Sequence, residues 1–293
     1  MELNTLLQYK PYSTARTEKR ALYAGLLTGL TQFHRERCPE YGRLLDALGC
    51  PAHMDCTVES TPMLPVSLFK ELELRSIPEG EVFKTITSSG TTGQRVSRIF
   101  LDGATSACQQ QALCQIMSDF LGERRLPFLV LDSRQVLRNR AMFSARGAGI
   151  LGFSIFGTRP CYALDEHMEL DLDGVRAFLE EHQGETIFLF GFTFIIWKHV
   201  VRALEERGER LDIPNGILVH GGGWKKLAGE AVSPGEFKAR VAAATGVERV
   251  SNYYGMAEQT GCIYMECPQG HLHASLWSDI VVRRGRDYRP CEP

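Results

Sequence analysis

The sequence predicts an α/β fold built on a largely parallel sheet. Three observations carry that expectation. Short apolar runs of strand length, "PFLVLD", "TIFLFGF" and "GILVH", recur through the second half of the chain. Stretches with helical spacing of apolar residues lie between them. The runs are apolar almost throughout, as strands covered on both faces are. In such sheets ligands gather beyond the carboxyl ends of the strands, so the loops that follow the runs are where a site is sought.

Taken in order, residues 13 to 48 carry helical periodicity in "ALYAGLLTGLTQFHRERC" and break at "CPEY". The segment "ESTPMLPVSLFKE", with its prolines, reads as a loop with a short helical tail. This helical region, residues 1–80, is expected to pack on an α/β core of residues 81–293. Within that core "VSRIFLD" alternates as a strand does. "TSACQQQALCQIMSDFLG" places Leu113, Ile116, Met117, Phe120 and Leu121 on one helical face and stops at Gly122, a C-cap glycine. "PFLVLD" is a buried strand, and "NRAMFSARGAGILGF" is a helix in spite of its glycines. "DLDGVRAFLEEH" is an amphipathic helix. "TIFLFGF" is a strand running into the helix "TFIIWKHVVRALEERG". "GILVH" is a strand, "SPGEFKARVAAATG" a helix with proline in its first turn, and "VERVSNYYG" a strand.

Composition narrows the function classes. Hydrophobic residues make up 44% and charged residues 23% of the 293, enough for a sizeable core. A net charge of -2 leaves no electrostatic footprint for nucleic acid. The longest apolar stretch, Thr186 to Trp197, is shorter than the about 20 residues a membrane-spanning helix needs. "MELNTLLQYKPYS" lacks the apolar centre of a signal peptide. The nine cysteines have no framework spacing, so reduced thiols and a cytoplasmic location are expected.

Three loops at strand ends carry the chemistry. "TSSGTTGQ", Thr87 to Gln94, is rich in small and hydroxyl residues. It reads either as a plain linker or as a nest of inward-facing N–H groups for an anion, with Ser88, Ser89, Thr91 and Thr92 as further donors. It is not a Walker A loop, because no lysine follows the second glycine. "VHGGGWK" follows the strand "GILV"; its three glycines are a tight turn or a place where a flat ligand meets bare backbone. "SNYYGMAEQTG" offers a ring, Tyr254, beside Gly255, and a carboxylate, Glu258. A ring can stack on a base and a carboxylate can hold Mg²⁺. Taken singly, a buried tyrosine and a helix-start glutamate explain them as well.

In this order "TSSGTTG", a Gly-Gly strand-end loop and "YYGMAE" resemble the adenylate-forming superfamily of acyl- and aryl-CoA ligases. More narrowly, the chain resembles the LuxE acyl-protein synthetase family through "FHRERCPEY", "LPVSLFKE", "TSSGTTGQRVSRIFLD", "FGFTFIIW", "HGGGWKK" and "NYYGMAE", which span most of residues 30 to 280. The resemblance implies the fold of the N-terminal domain of an adenylate-forming enzyme, and ATP and Mg²⁺ as cofactors. It implies that Thr87, Ser88, Ser89, Gly90, Thr91, Thr92 and Gly93 clasp the ATP phosphates, with Thr91 and Thr92 acting in catalysis beside Glu258, the Mg²⁺ ligand. Gly221, Gly222, Gly223, Tyr254 and Gly255 would meet adenine. Phe190, Gly191, Phe192 and Thr193 would line an acyl pocket, although aromatic residues in a strand are as readily core. The implied reaction activates a carboxylic acid, of long-chain fatty type, to an acyl-adenylate that passes to a thiol, with an acyl-transferring or reductase protein as partner.

The superfamily also carries a ribose-binding aspartate and a C-terminal lysine downstream of the Glu258 motif. This chain ends at "DYRPCEP" before either. The alternative expectation is therefore a short, catalytically impaired domain of the same fold that binds nucleotide or a partner. Two lesser candidates complete the reading. Cys262, Cys267, His271 and His273 invite a zinc site, but their spacing fits no standard finger. Arg146 in "SARGAG" would meet a phosphate or carboxylate, or make a salt bridge.

Overall fold

The computed structural model describes residues 6–88, 95–137, 145–259 and 261–291. Two compact units divide the chain. The first holds residues 1–116, 255–263 and 274–293, and the second holds residues 117–254 and 264–273. Residues 81–116, expected with the core, thus fall in the first unit with the helical region. The reason is pairing: the strands β1, Lys84–Thr87, and β2, Arg98–Leu101, bond antiparallel to each other in a sheet of their own.

In the first unit the expected helix over residues 13 to 48 is two helices, α1 (Arg16–Arg37) and α2 (Pro39–Ala47). Cys38 between them is extended, φ -119° and ψ 98°, as a residue before proline prefers. Helix α3, Gly103–Leu121, follows β2 and stops at Gly122, whose φ of 80° is the left-handed cap that glycine takes at no steric cost. Lys19 of α1 is buried because it has partners: its Nζ donates to the carbonyls of Ser275 (2.9 Å) and Ser278 and lies 3.7 Å from Asp279. The Trp277 Nε1–H donates to the Leu6 carbonyl at 3.1 Å, and the Tyr23 hydroxyl to that of Leu276 at 2.7 Å. Residues 275–279 are thereby stitched to the start of the chain.

The second unit is one seven-stranded sheet in the order β4-β3-β5-β6-β7-β8-β9. The strands are β3 (Leu126–Ser133), β4 (Gly157–Leu164), β5 (Ile187–Phe192), β6 (Gly216–Gly221), β7 (Arg249–Tyr254), β8 (Tyr264–Glu266) and β9 (Leu272–His273). Strands β3 to β7 run parallel, and β8 and β9 return antiparallel. Every residue of β5 and β6 is buried, which is why these strands read as unbroken apolar runs. The helices are α4 (Ala145–Phe153), α5 (Leu172–Glu181), α7 (Pro234–Thr245) and, between β5 and β6, α6. Helix α6 comprises Thr193–Ile195, a π-helical stretch Ile196–Val201, and Arg202–Arg207. The Asp171 carboxylate caps α5 by accepting from the Gly174 N–H at 3.0 Å, and Ser233 caps α7 in front of its N-terminal proline.

From β3 the chain crosses to β4 on one side and then returns to β5 on the other. The carboxyl ends of β3 and β5 are therefore where the connections diverge, the place an open α/β sheet offers a ligand. One face beneath is an aromatic layer: Phe128 stacks on Phe188 at 4.9 Å, and Phe153 of α4 stacks on Phe190 at 4.3 Å.

Candidate functional site

In the second unit, β5, β6 and β7 bring their carboxyl ends side by side, with Gly191 paired to His220 and Gly221 paired to Tyr253. The end of β6 is glycine by necessity. A Cβ on Gly221 would stand 2.4 Å from the Tyr253 ring, and Gly222 has φ +76° with Phe192 3.0 Å from where its Cβ would be. A Cβ on Gly223 would meet nothing. The triplet is thus two glycines that their neighbours demand and one that faces open space. The next strand splits its tyrosines by the period of two: Tyr253 packs against Phe153 (5.0 Å), while Tyr254 is 50% exposed and lies parallel to Tyr264 at 5.9 Å. Burial pushes the Tyr253 phenol up to about 12.

The expected acyl-pocket residues divide. Phe190 is fully buried between Phe153 and the Phe192 edge. A Cβ on Gly191 would stand 3.0 Å from Leu131. Thr193 faces the glycine loop: its Oγ1 lies 2.9 Å from His220 Nδ1, 3.1 Å from the Gly221 carbonyl and 2.9 Å from the Gly222 carbonyl.

His220 is buried, and burial, reinforced by the nearby Lys238 charge, lowers its pKa to about 3. The sign of the linkage follows. The folded ring stays neutral while the unfolded ring takes up a proton below about pH 6.5, so its contribution is whole above that value and is lost as pH falls. Between pH 6 and pH 4 the parent should lose about 1.4 kcal/mol per pH unit more than His220→Asn, whose amide does not titrate. Urea unfolding of both proteins across that range checks it; parallel pH profiles would show that the ring is solvated.

At the end of β3, Asp132 is fully buried. Arg146, in the first turn of α4, grips it through Nε at 2.9 Å and through Nη2, and the Asp132 Oδ1 also accepts from the Ser133 N–H at 2.7 Å. Of the alternatives weighed for Arg146, the structure gives the salt bridge. The same helix turn brings Gly149 beneath β5, where a Cβ would stand 3.0 Å from Phe192.

The first unit holds the remaining predicted residues. Ser89 to Gln94 lie outside the described residues, so the expectations for Ser89, Gly90, Thr91, Thr92 and Gly93 are not placed. Thr87 ends β1 and Ser88 follows it; Thr87 pairs with Arg98, and the Ser88 Oγ accepts from the Ser97 N–H at 2.9 Å. Gly255 is exposed. Glu258 lies half-buried in a short 3-10 helix, Ala257–Gln259. Gly261, φ +80°, would carry a Cβ 2.5 Å from the Gln109 carbonyl, so this loop packs closely on α3.

Cys262, Cys267, His271 and His273 are not gathered: among the described residues no group of three or more metal-ligating side chains comes together. Burial instead pushes the Cys262 thiol up to about 11. The nine cysteines carry no disulfide. No helix of the described residues is long and apolar enough to cross a membrane. Two open clefts, about 740 Å³ beside Arg37 and Arg75 and about 620 Å³ beside Arg159 and His182, are lined by none of the predicted residues. The strand ends, where backbone geometry is specified, are the stronger candidate. Sequence reasoning missed Asp132 and the Thr193–His220 contact. A lone acid ending an apolar run was the available signal for the first, and for the second there was none.

The profile of the family described as "Acyl-protein synthetase, LuxE" matches residues 2–293. A curated protein of Vibrio harveyi, "Long-chain-fatty-acid--luciferin-component ligase", is 22% identical over 233 residues, which are 78% of this chain and 59% of that protein. The chain thus spans about three fifths of that relative's length. Among solved structures, ATP-bound MatB from Rhodopseudomonas palustris is 15% identical, with 68% of this chain and 34% of that one covered at a TM-score of 0.38. The amide bond synthetase McbA from Marinactinospora thermotolerans is 15% identical, with 76% and 39% covered at 0.39. The Klebsiella oxytoca NpsA N-terminal subdomain is 14% identical, with 87% and 61% covered at 0.39.

Proposed function

The chain belongs to the LuxE acyl-protein synthetase family, and from that premise we propose that it uses ATP to activate a carboxylic acid, of long-chain fatty type, to an acyl-adenylate for transfer to a thiol. The observation that supports this reading best is the close of β6 and β7. Two exposed glycines, Gly222 and Gly223, follow β6, and a half-exposed tyrosine ends the parallel strand beside it. A flat purine needs such surfaces, backbone for its edge and a ring for its face.

In this assignment Gly221, Gly222, Gly223, Tyr254 and Gly255 meet adenine, and Thr87 to Gly93 meet the phosphates. A carboxylate is a poor electrophile, and attack of its oxygen on the α-phosphate gathers charge on phosphorus and on departing pyrophosphate. Backbone N–H groups and hydroxyls aimed at that charge are the stabilising device, and Thr91 and Thr92 are the hydroxyls proposed for it. Glu258 suits Mg²⁺: it is a hard oxygen donor, half-buried in the short helix Ala257–Gln259. The metal would supply charge neutralisation on the phosphates. The acyl acceptor is a thiol, on a protein partner or a small carrier. The long-chain acid is the finer part of the proposal, suggested by the name of the Vibrio harveyi protein.

The test is ATP–pyrophosphate exchange with a panel of acids from short to long chain. Exchange that rises with chain length supports the reading. Nucleotide binding without exchange for any acid would favour a binding domain that does not turn over. Within the same assay Glu258→Gln should lower exchange at limiting Mg²⁺ by about ten- to hundredfold, the range for losing one charged contact of about 1.5–3 kcal/mol. Its thermal midpoint should match the parent's. An unchanged Mg²⁺ titration would remove Glu258 from the assignment.

A further inference from the structure

We infer that Thr193 and His220 form a hydrogen-bond relay that fixes the carbonyls of Gly221 and Gly222 and so presents the glycine loop to nucleotide; they are positioning residues rather than parts of an acyl pocket. The inference rests on the nucleotide reading above. Its geometry is independent of it.

The Thr193 hydroxyl has one proton and three neighbours: His220 Nδ1 at 2.9 Å, the Gly221 carbonyl at 3.1 Å and the Gly222 carbonyl at 2.9 Å. Carbonyl oxygens only accept, so the hydroxyl proton is directed to them and Nδ1 must be the donor to Oγ1. That assigns His220 to the Nδ1–H tautomer. The other ring nitrogen, Nε2, is buried without a described partner. An imidazolium would leave an N–H there unsatisfied, in keeping with a ring that burial keeps neutral. The ring itself is held by Phe237 of α7, centroids 4.7 Å apart.

The relay acts where the β6 ladder ends: Gly221 is the last residue paired to both β5 and β7. Gly222, at φ +76°, has freedom that other residues lack, and Gly223 beyond it has no neighbour over its Cα. A loop with that freedom stays in one conformation only where its carbonyls are bonded. Thr193, the first residue of α6, supplies the donor from the end of β5, the strand paired to β6. Removing it should loosen the two peptide planes that the proposed adenine contact uses.

The experiment compares parent, Thr193→Val, Thr193→Ser and His220→Asn, each first shown to unfold cooperatively. Thr193→Val, nearly isosteric but without a donor, should weaken ATP and AMP binding about tenfold by calorimetry. Thr193→Ser should restore it, and His220→Asn, whose amide still donates to Oγ1, should stay within about threefold of the parent. Pyrophosphate alone should bind all four equally. Nitrogen-15 spectra should show His220 as the neutral Nδ1–H tautomer from pH 5 to pH 8. Equal nucleotide affinity in parent and Thr193→Val, or an Nε2–H tautomer, would overturn the relay. A parent that binds no nucleotide would defeat the functional reading but still decide the relay. The Gly222 to Trp224 amides should then exchange with solvent at least tenfold faster in Thr193→Val than in Thr193→Ser, and equal exchange would overturn it.

Discussion

Replacing Arg146 with methionine should destabilise the second unit by about 3–5 kcal/mol, the range for breaking a buried ion pair and leaving one charge alone. The size follows from the asymmetry of the pair. Asp132 is fully buried, whereas the Arg146 side chain keeps 24% of its exposure. Without the guanidinium the carboxylate retains one described donor, the Ser133 N–H. Asp132→Asn in the parent should cost less, because the amide oxygen still accepts from Ser133 and the arginine can turn to water. The double variant Asp132→Asn with Arg146→Met should then recover much of the loss, since no charge is left buried. Urea unfolding of the four proteins reads the coupling directly. A cost below about 1 kcal/mol for Arg146→Met would mean that water takes the place of the guanidinium on Asp132.

This pair also shows where sequence reading stops. Arg146 could be named as an anion contact or a salt-bridge partner, but the choice depends on Asp132, fourteen residues earlier at the end of β3. Local spacing holds no record of such a pairing. The central strands were legible for the opposite reason. Burial of both faces of β5 and β6 writes itself into every residue of "IFLFGF" and "GILVHG". Strand β4 was not legible. Arg159, at φ 46°, and Pro160 interrupt its pattern, and the pairing with β3 slips between residues 158 and 161. As the edge of the sheet it tolerates both, because a proline there removes no bond the sheet needs and blunts the edge against further pairing.

The candidate site was legible as motifs and not as contacts. "GGG" follows a strand, and the structure requires glycine at Gly221, where a Cβ would meet the Tyr253 ring, and at Gly222, whose φ is +76° and whose Cβ would lie 3.0 Å from Phe192. The partners that make the requirement, Tyr253 and Phe192, come from the two flanking strands, and their approach is a property of register. Thr193 directly follows the phenylalanines in sequence. In space it belongs to the loop after β6, since the strand ends at Phe192 and the first turn of α6 swings its hydroxyl toward His220.

Phe190→Ala should cost about 3–5 kcal/mol of stability, the range for truncating a buried phenylalanine. It should leave acid selectivity in pyrophosphate exchange unchanged. The ring is fully buried on a central strand, stacked on Phe153 at 4.3 Å, with Phe192 edge-on at 5.9 Å and Tyr253 at 6.1 Å. A Cβ at Gly149 would already be 3.5 Å from it. Its neighbours on β3 and β6, Val130 and Val219, are fully buried too, so the space cannot close by a side chain turning inward from solvent. A cavity of that kind is filled only by backbone movement, which a strand paired on both sides resists. An acyl pocket at this position would behave differently. Its phenylalanine would already face a space meant for substrate, truncation would lengthen that space, and longer acids would gain while stability held. Chemical unfolding and the acid panel, run on the same variant, separate the two. Retained stability with selectivity moved toward longer acids would return Phe190 to the acyl pocket that the resemblance implies. Lost stability with selectivity intact would place the acyl chain beyond the β5 strand end, past the core ring that Phe190 supplies.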